Sequence, residues 1–138
     1  MKKVNYKKVF NTLDKILEIH SDALQGADFI VGISRGGLFP AMHVSTKLVK
    51  PLVAAYIDKQ DNVYFDRDEW VIGKSVLLVD DIVRSGKTLS KVKGLLLGKG
   101  VKKVETLTIF HLRNNVIHPT YSEETEIDIE FPWDENRN

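Results

Sequence analysis

The segment 76–89 constrains the fold of this chain more than any other. An apolar run at 76–79 ends in two adjacent acids, Asp80 and Asp81, and a short turn at 84–88 follows. Beyond the turn, apolar side chains recur at helical spacing. A buried strand that leads through a turn into a helix is typical of α/β proteins, which bind ligands at the carboxyl edge of a parallel sheet. We therefore expect the two acids to lie at a ligand-binding edge.

The rest of the chain shows the same alternation of helices and strands. Apolar periodicity predicts a helix at 6–20, strands at 29–33, 52–57, 76–79 and 104–110, a helix that ends near residue 48, and a helix that ends at Gly98 or Gly100. The polar stretch 58–74 is expected to be a mobile loop or a small hairpin around 63–65. This order predicts a single α/β domain with a parallel sheet.

Composition excludes several classes of function. A chain of 138 residues fits one domain, and its net charge of +1 gives no broad basic field for nucleic acid or a membrane surface. The absence of cysteine excludes disulfides and thiolate zinc sites. No apolar run reaches the roughly 18 residues of a membrane span, and no leader segment is recognisable, so we expect a cytoplasmic protein. The lysines at 2, 3, 7 and 8 are interpreted as a solvated helix face.

The turn at 84–88 has the composition of an anion-binding loop. It offers backbone N–H groups, hydroxyls and positive charge at the start of a helix, where the helix dipole favours anions. It is not a Walker A loop, because that motif requires glycine at position 81, which is aspartate here. Two carboxylates beside such a turn suit a ligand with both hydroxyls and phosphate, such as a sugar phosphate.

Four segments together resemble the type I phosphoribosyltransferase family. The stretch 76–89 resembles its binding motif for phosphoribosyl pyrophosphate (PRPP), and 33–38 resembles the pyrophosphate loop of the xanthine-guanine branch. The segments 108–110 and 132–134 resemble later parts of the same branch. The resemblance implies the type I fold, with a core at about 24–112 and a small hood at about 113–134 that the N-terminal helix helps to form, in one domain over 1–138. It also implies a homodimer and an Mg²⁺-dependent transfer from PRPP to a nucleobase.

The resemblance assigns roles to individual residues. Asp80 and Asp81 would hold the ribose hydroxyls, with Asp81 also near Mg²⁺, while Arg35 would receive the pyrophosphate across a strained Ser34–Arg35 peptide bond. Amides from 83 to 88 and two hydroxyls would hold the 5′-phosphate. The predicted catalytic residues are Arg35, Asp80, Asp81 and Arg84. The predicted PRPP-binding residues are Ser34, Arg35, Gly36, Asp80, Asp81, Ile82, Val83, Arg84, Ser85, Gly86, Lys87 and Thr88.

The positions that would face the base depart from the family pattern. Arg84 replaces an aspartate that handles the ring proton of purines, Leu112 replaces a lysine, and Asp128 replaces a stacking aromatic residue. A guanidinium cannot act as a general base at ordinary pH. Arg84 either pairs with Asp128 beside the phosphate loop or contacts an acidic or carbonyl-bearing base. The candidate base-binding residues are His111, Leu112, Asp128 and Ile129, and a purine remains the leading acceptor.

Two other functions remain open at this stage. The residues 32–36 match the G-x-S-x-G pattern of serine hydrolases, with Ser34 as nucleophile and Asp80 or Asp81 and His111 as partners. Alternatively, retained phosphate loops with changed base positions suit a non-catalytic PRPP-binding regulator. Trp133 is interpreted as packing in the hood, with a place at the pocket mouth as the alternative.

Overall fold

The computed structural model describes residues 1–114 and 117–134. The predicted domain end at 138 and residues 115–116 of the predicted hood lie outside this range. The elements are β1 (Lys2–Lys3), α1 (Tyr6–Ile19), α2 (Ser21–Leu24), β2 (Phe29–Ile33), α3 (Leu38–Leu48), β3 (Leu52–Ile57), β4 (Val63–Phe65), α4 (Asp68–Val71), β5 (Ser75–Val83), α5 (Lys87–Gly98), β6 (Lys103–Leu112), β7 (Tyr121–Thr125) and β8 (Ile129–Glu130), followed by a 3₁₀ turn (Pro132–Asp134).

The main sheet has six strands in the order β4-β3-β2-β5-β6-β7. All neighbouring strands run parallel except β3 and β4, which form the small hairpin expected around 63–65. The chain builds outward from β2 in one direction and from β5 in the other, so the strand order reverses between these two strands. Open α/β sheets bind their ligands at such a reversal, beyond the carboxyl ends of the strands. The predicted α/β class is confirmed.

Helices cover both faces of the sheet because the central strands are apolar on both sides. One core cluster joins Leu13 of α1 and Val44 of α3 to Leu77 of β5. The other joins Val92 of α5 to Leu78 of β5 and Val53 of β3. Alternate residues of one strand thus enter opposite cores, which fixes the register of β5 and with it the position of the two acids at its end.

Three predictions about the strands and helices were wrong. Strand β5 continues to Val83, so Asp80 and Asp81 lie within the strand rather than after it, because pairing with β6 extends to Val83. Strand β7 lies inside the predicted hood but pairs with β6 and extends the main sheet. The first two lysines, assigned to a helix face, instead form β1, which pairs in parallel with β8.

The small sheet of β1 and β8 packs beside α1 and the 3₁₀ turn and carries the C-terminal segment toward the carboxyl end of β5. Phe131 and Trp133 from this segment join the core that contains α1 and α3. The N-terminal residues Lys2 and Lys3 thus pair with a strand of the predicted hood, while the division into a core and a hood stays a prediction. Among the described residues, no helix combines the length and apolarity that a membrane span requires.

Candidate functional site

Two loops meet at the carboxyl ends of β2 and β5. These strands are direct neighbours, with Gly32 opposite Val79, so the loop at 34–37 lies against the acid pair. The two loops enclose a polar cavity of about 370 Å³. Its lining consists of Ile33, Ser34, Arg35, Gly36, Ile57, Asp80, Asp81, Ile82, Val83, Arg84, Ser85, Gly86, Thr88 and Leu89. All predicted PRPP-binding residues except Lys87 therefore line one cavity.

The acid pair is held by hydrogen bonds that fix both carboxylates. Asp80 Oδ1 accepts from the backbone N–H of Asp81 at 2.9 Å, and Asp81 Oδ1 accepts from the N–H of Ile82 at 2.8 Å. The indole Nε1 of Trp133 donates to Asp81 Oδ2 at 3.0 Å. Burial, and then the neighbouring Asp81 carboxylate, raise the pKa of Asp80 well above its usual value. The pair is thus poised for a cation or hydroxyl donors that would relieve the repulsion.

The loop at 34–37 approaches the acids so closely that only glycine fits. A Cβ built on Gly36 would lie 2.1 Å from Asp81 Oδ2, far inside any real contact distance. The N–H of Ser34 donates to the carbonyl of Ala55 at 2.7 Å, which ties the start of the loop to β3. The Ser34–Arg35 peptide bond, which the resemblance singled out, is cis. Arg35 follows it and lines the cavity.

The segment 84–88, which we call a loop, leads from the end of β5 into the first turn of α5. Gly86 has a φ of +81° and precedes the helix, and a Cβ there would collide with Ile117 at 2.7 Å. The first N–H groups of a helix have no intrahelical acceptor, so they remain available to an anion. Lys87 is exposed and does not line the cavity, and the predicted contact of its backbone N–H with a phosphate stays a prediction. Its N–H donates to Ser85 Oγ at 3.3 Å.

Arg84 takes the first of its two predicted arrangements. Its Nε donates to both carboxylate oxygens of Asp128, at 3.0 and 3.2 Å, and its Nη2 donates to the carbonyl of Ile129 at 3.3 Å. This ion pair joins the loop at 84–88 to the residue just before β8, at the rim of the cavity. The side chain of Ile129 is buried, and the predicted contact of this residue with a base stays a prediction. Only its carbonyl faces Arg84.

None of the four candidate base-binding residues is among the described residues that line the cavity. His111 and Leu112 are the last residues of β6. The rings of His111 and His118 are tilted relative to each other, with centroids 5.0 Å apart, and His111 Nε2 lies 3.9 Å from Glu124. Burial, followed by the charge of His118, lowers the pKa of His111. In the described range, its buried Nδ1 has no hydrogen-bond partner.

The serine hydrolase alternative was wrong. No histidine is among the described residues that line the cavity around Ser34. His111, the proposed base, contacts His118 and Glu124 instead. A nucleophile needs a base within hydrogen-bond reach, and the described residues provide none for Ser34.

Three of the described residues that line the cavity were not among the predicted site residues: Ile33, Ile57 and Leu89. Trp133 was predicted to pack in the hood or lie at the pocket mouth, but not to contact Asp81. Ile57 and Leu89 add apolar walls to the cavity. Trp133 contacts Asp81 through its indole nitrogen, although it lies 52 positions away in the chain. Ile57 ends β3 and Leu89 lies in the first turn of α5, so both could have been placed beside the cavity from the sequence. No local pattern, however, connects a C-terminal tryptophan to an acid in β5.

Comparison with known proteins gives a consistent picture. Residues 5–137 match the family model of the phosphoribosyl transferase domain. The chain is 33% identical over 113 residues to an orotate phosphoribosyltransferase of Sulfurisphaera tokodaii, and the match covers 76% of this chain and 54% of that protein. It is 35% identical over 118 residues to a xanthine-guanine phosphoribosyltransferase of Cereibacter sphaeroides, covering 76% of this chain and 68% of that protein.

One solved structure has a similar fold over almost the whole length of this chain. The purine phosphoribosyltransferase from Pyrococcus horikoshii superposes with a TM-score of 0.80 at 28% identity, covering 96% of this chain and 94% of that one. By contrast, the chain spans only about half the length of the Sulfurisphaera relative.

Proposed function

The chain belongs to the phosphoribosyl transferase domain family, and from that premise we propose that it transfers the phosphoribosyl group of PRPP to a nucleobase and releases pyrophosphate. The observation that carries the proposal is a polar cavity in which the loops at 34–37 and 84–88 both face the acid pair. PRPP presents a 5′-phosphate, two hydroxyls and a pyrophosphate, and each has a matching group in this cavity.

The roles follow from the position of each group. The N-terminus of α5 and the hydroxyls of Ser85 and Thr88 would hold the 5′-phosphate. Asp80 and Asp81 would accept hydrogen bonds from the ribose hydroxyls. Arg35 and the backbone of Gly36 would receive the pyrophosphate. The transition state carries positive charge on the sugar and negative charge on the leaving group, so oriented amides and a guanidinium would accelerate the reaction mainly by electrostatics and positioning.

We also propose that Mg²⁺ accompanies PRPP at the acid pair. Mg²⁺ typically binds one or two carboxylates together with water and substrate oxygens, and the described residues contain no cluster of three acidic or histidine ligands that would form a closed cage. Burial, and then the adjacent Asp81 carboxylate, raise the pKa of Asp80, and a divalent cation would relieve the repulsion between the two carboxylates. Asp81, and beside it Asp80, would hold the ion, which when bound would neutralise charge on the leaving pyrophosphate.

The acceptor is proposed to be a purine-like base. The relatives include proteins named for xanthine and guanine as well as for orotate. At the rim of the cavity Arg84 donates to the Ile129 carbonyl, and in the proposed binding mode this rim would lie beside the base. A guanidinium there favours bases that carry carbonyl or anionic groups over bases that carry only amino groups.

A pyrophosphate-release screen tests this proposal. Purified protein with PRPP and Mg²⁺ is assayed against purines, pyrimidines and pyridine carboxylates, with Asp81→Asn as the inactive control. Release that depends on an oxopurine supports the proposal, and release only with a pyrimidine or pyridine carboxylate corrects the acceptor. Binding of PRPP without release for any acceptor would instead support a non-catalytic regulator. The homodimer and the cytoplasmic location remain predictions, and sedimentation equilibrium tests the first.

A further inference from the structure

Trp133 is packed in a way that fixes the direction of its indole N–H. Its ring lies parallel to Phe131, with centroids 4.8 Å apart, and parallel to Phe39, with centroids 4.6 Å apart. The interplanar angles are 5° and 6°. Trp133 is 6% exposed, so its N–H must find an acceptor inside the protein. That acceptor is Asp81 Oδ2 at 3.0 Å.

The hydrogen bond completes the hold on Asp81. The N–H of Ile82 already donates to Oδ1, so each oxygen of this carboxylate has one donor, from two different parts of the fold. Hydrogen bonds to an ionised acceptor are about twice as strong as neutral ones. With both oxygens bound, the carboxylate cannot rotate freely, and its remaining lone pairs point in fixed directions.

The space around this contact is shaped for it. A Cβ on Gly36 would lie 3.1 Å from the indole Nε1 and 2.1 Å from Asp81 Oδ2. Gly36, Asp81 and Trp133 therefore meet at one point, although they come from the first loop, from β5 and from the 3₁₀ turn. Asp80, in contrast, accepts only one hydrogen bond from the described residues, through Oδ1.

We propose that Trp133 is a positioning residue for Asp81, which holds the carboxylate in the orientation that receives the ribose and Mg²⁺ and connects the C-terminal segment to the site. This inference rests on the proposed function and assigns a task to a residue that the motifs do not include. Partners that orient a ligating group typically contribute 10- to 100-fold to metal affinity or activity.

The first experiment separates the hydrogen bond from the packing. Trp133→Phe keeps an aromatic ring in the stack and removes the donor, whereas Phe39→Leu weakens the stack and keeps the donor. We expect Trp133→Phe to weaken binding of Mg²⁺–PRPP about 10- to 100-fold by calorimetry and to raise the KM for PRPP. We expect Phe39→Leu, which leaves Phe131 stacked on the indole and the donor in place, to have a clearly smaller effect on both values. Equal effects of the two variants, at similar thermal stability, would show that Trp133 only packs.

The second experiment does not depend on catalysis or on PRPP. The chain has two tryptophans, so ¹⁵N-labelled indole groups give two N–H signals, and Trp133→Phe assigns them. We expect the Trp133 signal to lie downfield, to exchange slowly with solvent, and to move upfield in Asp81→Asn, which removes the charge of the acceptor. A signal that is unchanged in Asp81→Asn would overturn the inference.

The two experiments also separate this inference from the proposed function. Failure of the wild-type protein to bind PRPP would refute the proposed function and with it the proposed task of Trp133. The indole spectrum would still decide whether Trp133 orients Asp81. Binding of PRPP with equal affinity by wild type and Trp133→Phe would keep the function and reject the positioning role.

Discussion

Replacing Gly36 by alanine is the sharpest test of how the two loops cooperate. The added Cβ would lie 2.1 Å from Asp81 Oδ2, 3.0 Å from its Cγ and 3.1 Å from the indole nitrogen of Trp133. Real Cβ contacts essentially never fall below 3.0 Å, so the carboxylate must move by about 1 Å. The 3.0 Å hydrogen bond from Trp133 cannot survive such a movement without a matching shift of the buried indole.

The magnitude follows from that lost contact. A hydrogen bond to a charged group contributes about 1.5–3 kcal/mol, and about 1.4 kcal/mol corresponds to a tenfold change in affinity. We therefore expect Gly36→Ala to weaken Mg²⁺–PRPP binding by roughly 10- to 150-fold. A displacement of about 1 Å at the reacting groups can lower the rate by about 100-fold as well.

Calorimetry with PRPP and Mg²⁺ measures the first effect, and steady-state pyrophosphate release measures the second. Gly94→Ala is the matched control, because this glycine lies within α5, is exposed, and has nothing within 4 Å of an added Cβ. The reasoning is refuted if Gly36→Ala binds PRPP and turns over within about twofold of Gly94→Ala, a factor that corresponds to less than 0.5 kcal/mol.

Further predictions concern stability, charge and the acceptor. Gly94→Ala should raise the free energy of unfolding by about 0.5–1 kcal/mol, because alanine is the better helix former; a lower midpoint in urea would contradict this. Asp80 has a raised pKa when folded, so its ionisation lowers stability as pH rises from the unfolded value toward the folded one. Asp80→Asn should therefore raise the melting temperature at pH 7 in EDTA, with a gain that shrinks toward pH 4; a constant gain would show that the charge is not the cause. Asp128→Asn should cost less than about 1 kcal/mol of stability, because the ion pair is half exposed. Asp128→Asn should change the KM for the base more than the KM for PRPP. The reverse result would indicate that Arg84 contacts PRPP instead of the base.

The part of the site that is proposed to bind PRPP could be predicted because its residues lie next to one another in the chain. The strand 76–79, the acids and the turn at 84–88 adjoin in the chain, and backbone amides at the start of α5 follow from the chain's direction alone. The pairing of Arg84 with Asp128 was also foreseeable, since opposite charges were assigned to neighbouring positions. The side of the site built by β8 and the 3₁₀ turn could not be predicted in this way. The pairing of β1 with β8, the pairing of β7 with β6 and the contact of Trp133 with Asp81 depend on long-range packing, which leaves no periodic signal in the sequence.

The two contacts that the C-terminal segment makes with the site differ in how readily a ligand can change them. The bond from Trp133 to Asp81 is buried and clamped by two aromatic rings, so breaking it leaves an unsatisfied donor beside a carboxylate. The pair of Arg84 and Asp128 lies at the rim with half of the arginine side chain exposed, and such pairs contribute only about 0–1 kcal/mol. In the proposed function, a base with an anionic or carbonyl group would displace Asp128 from Arg84 at little cost. The carboxylates that would hold PRPP would stay rigid, while the choice of base would depend on an ion pair that the base can open.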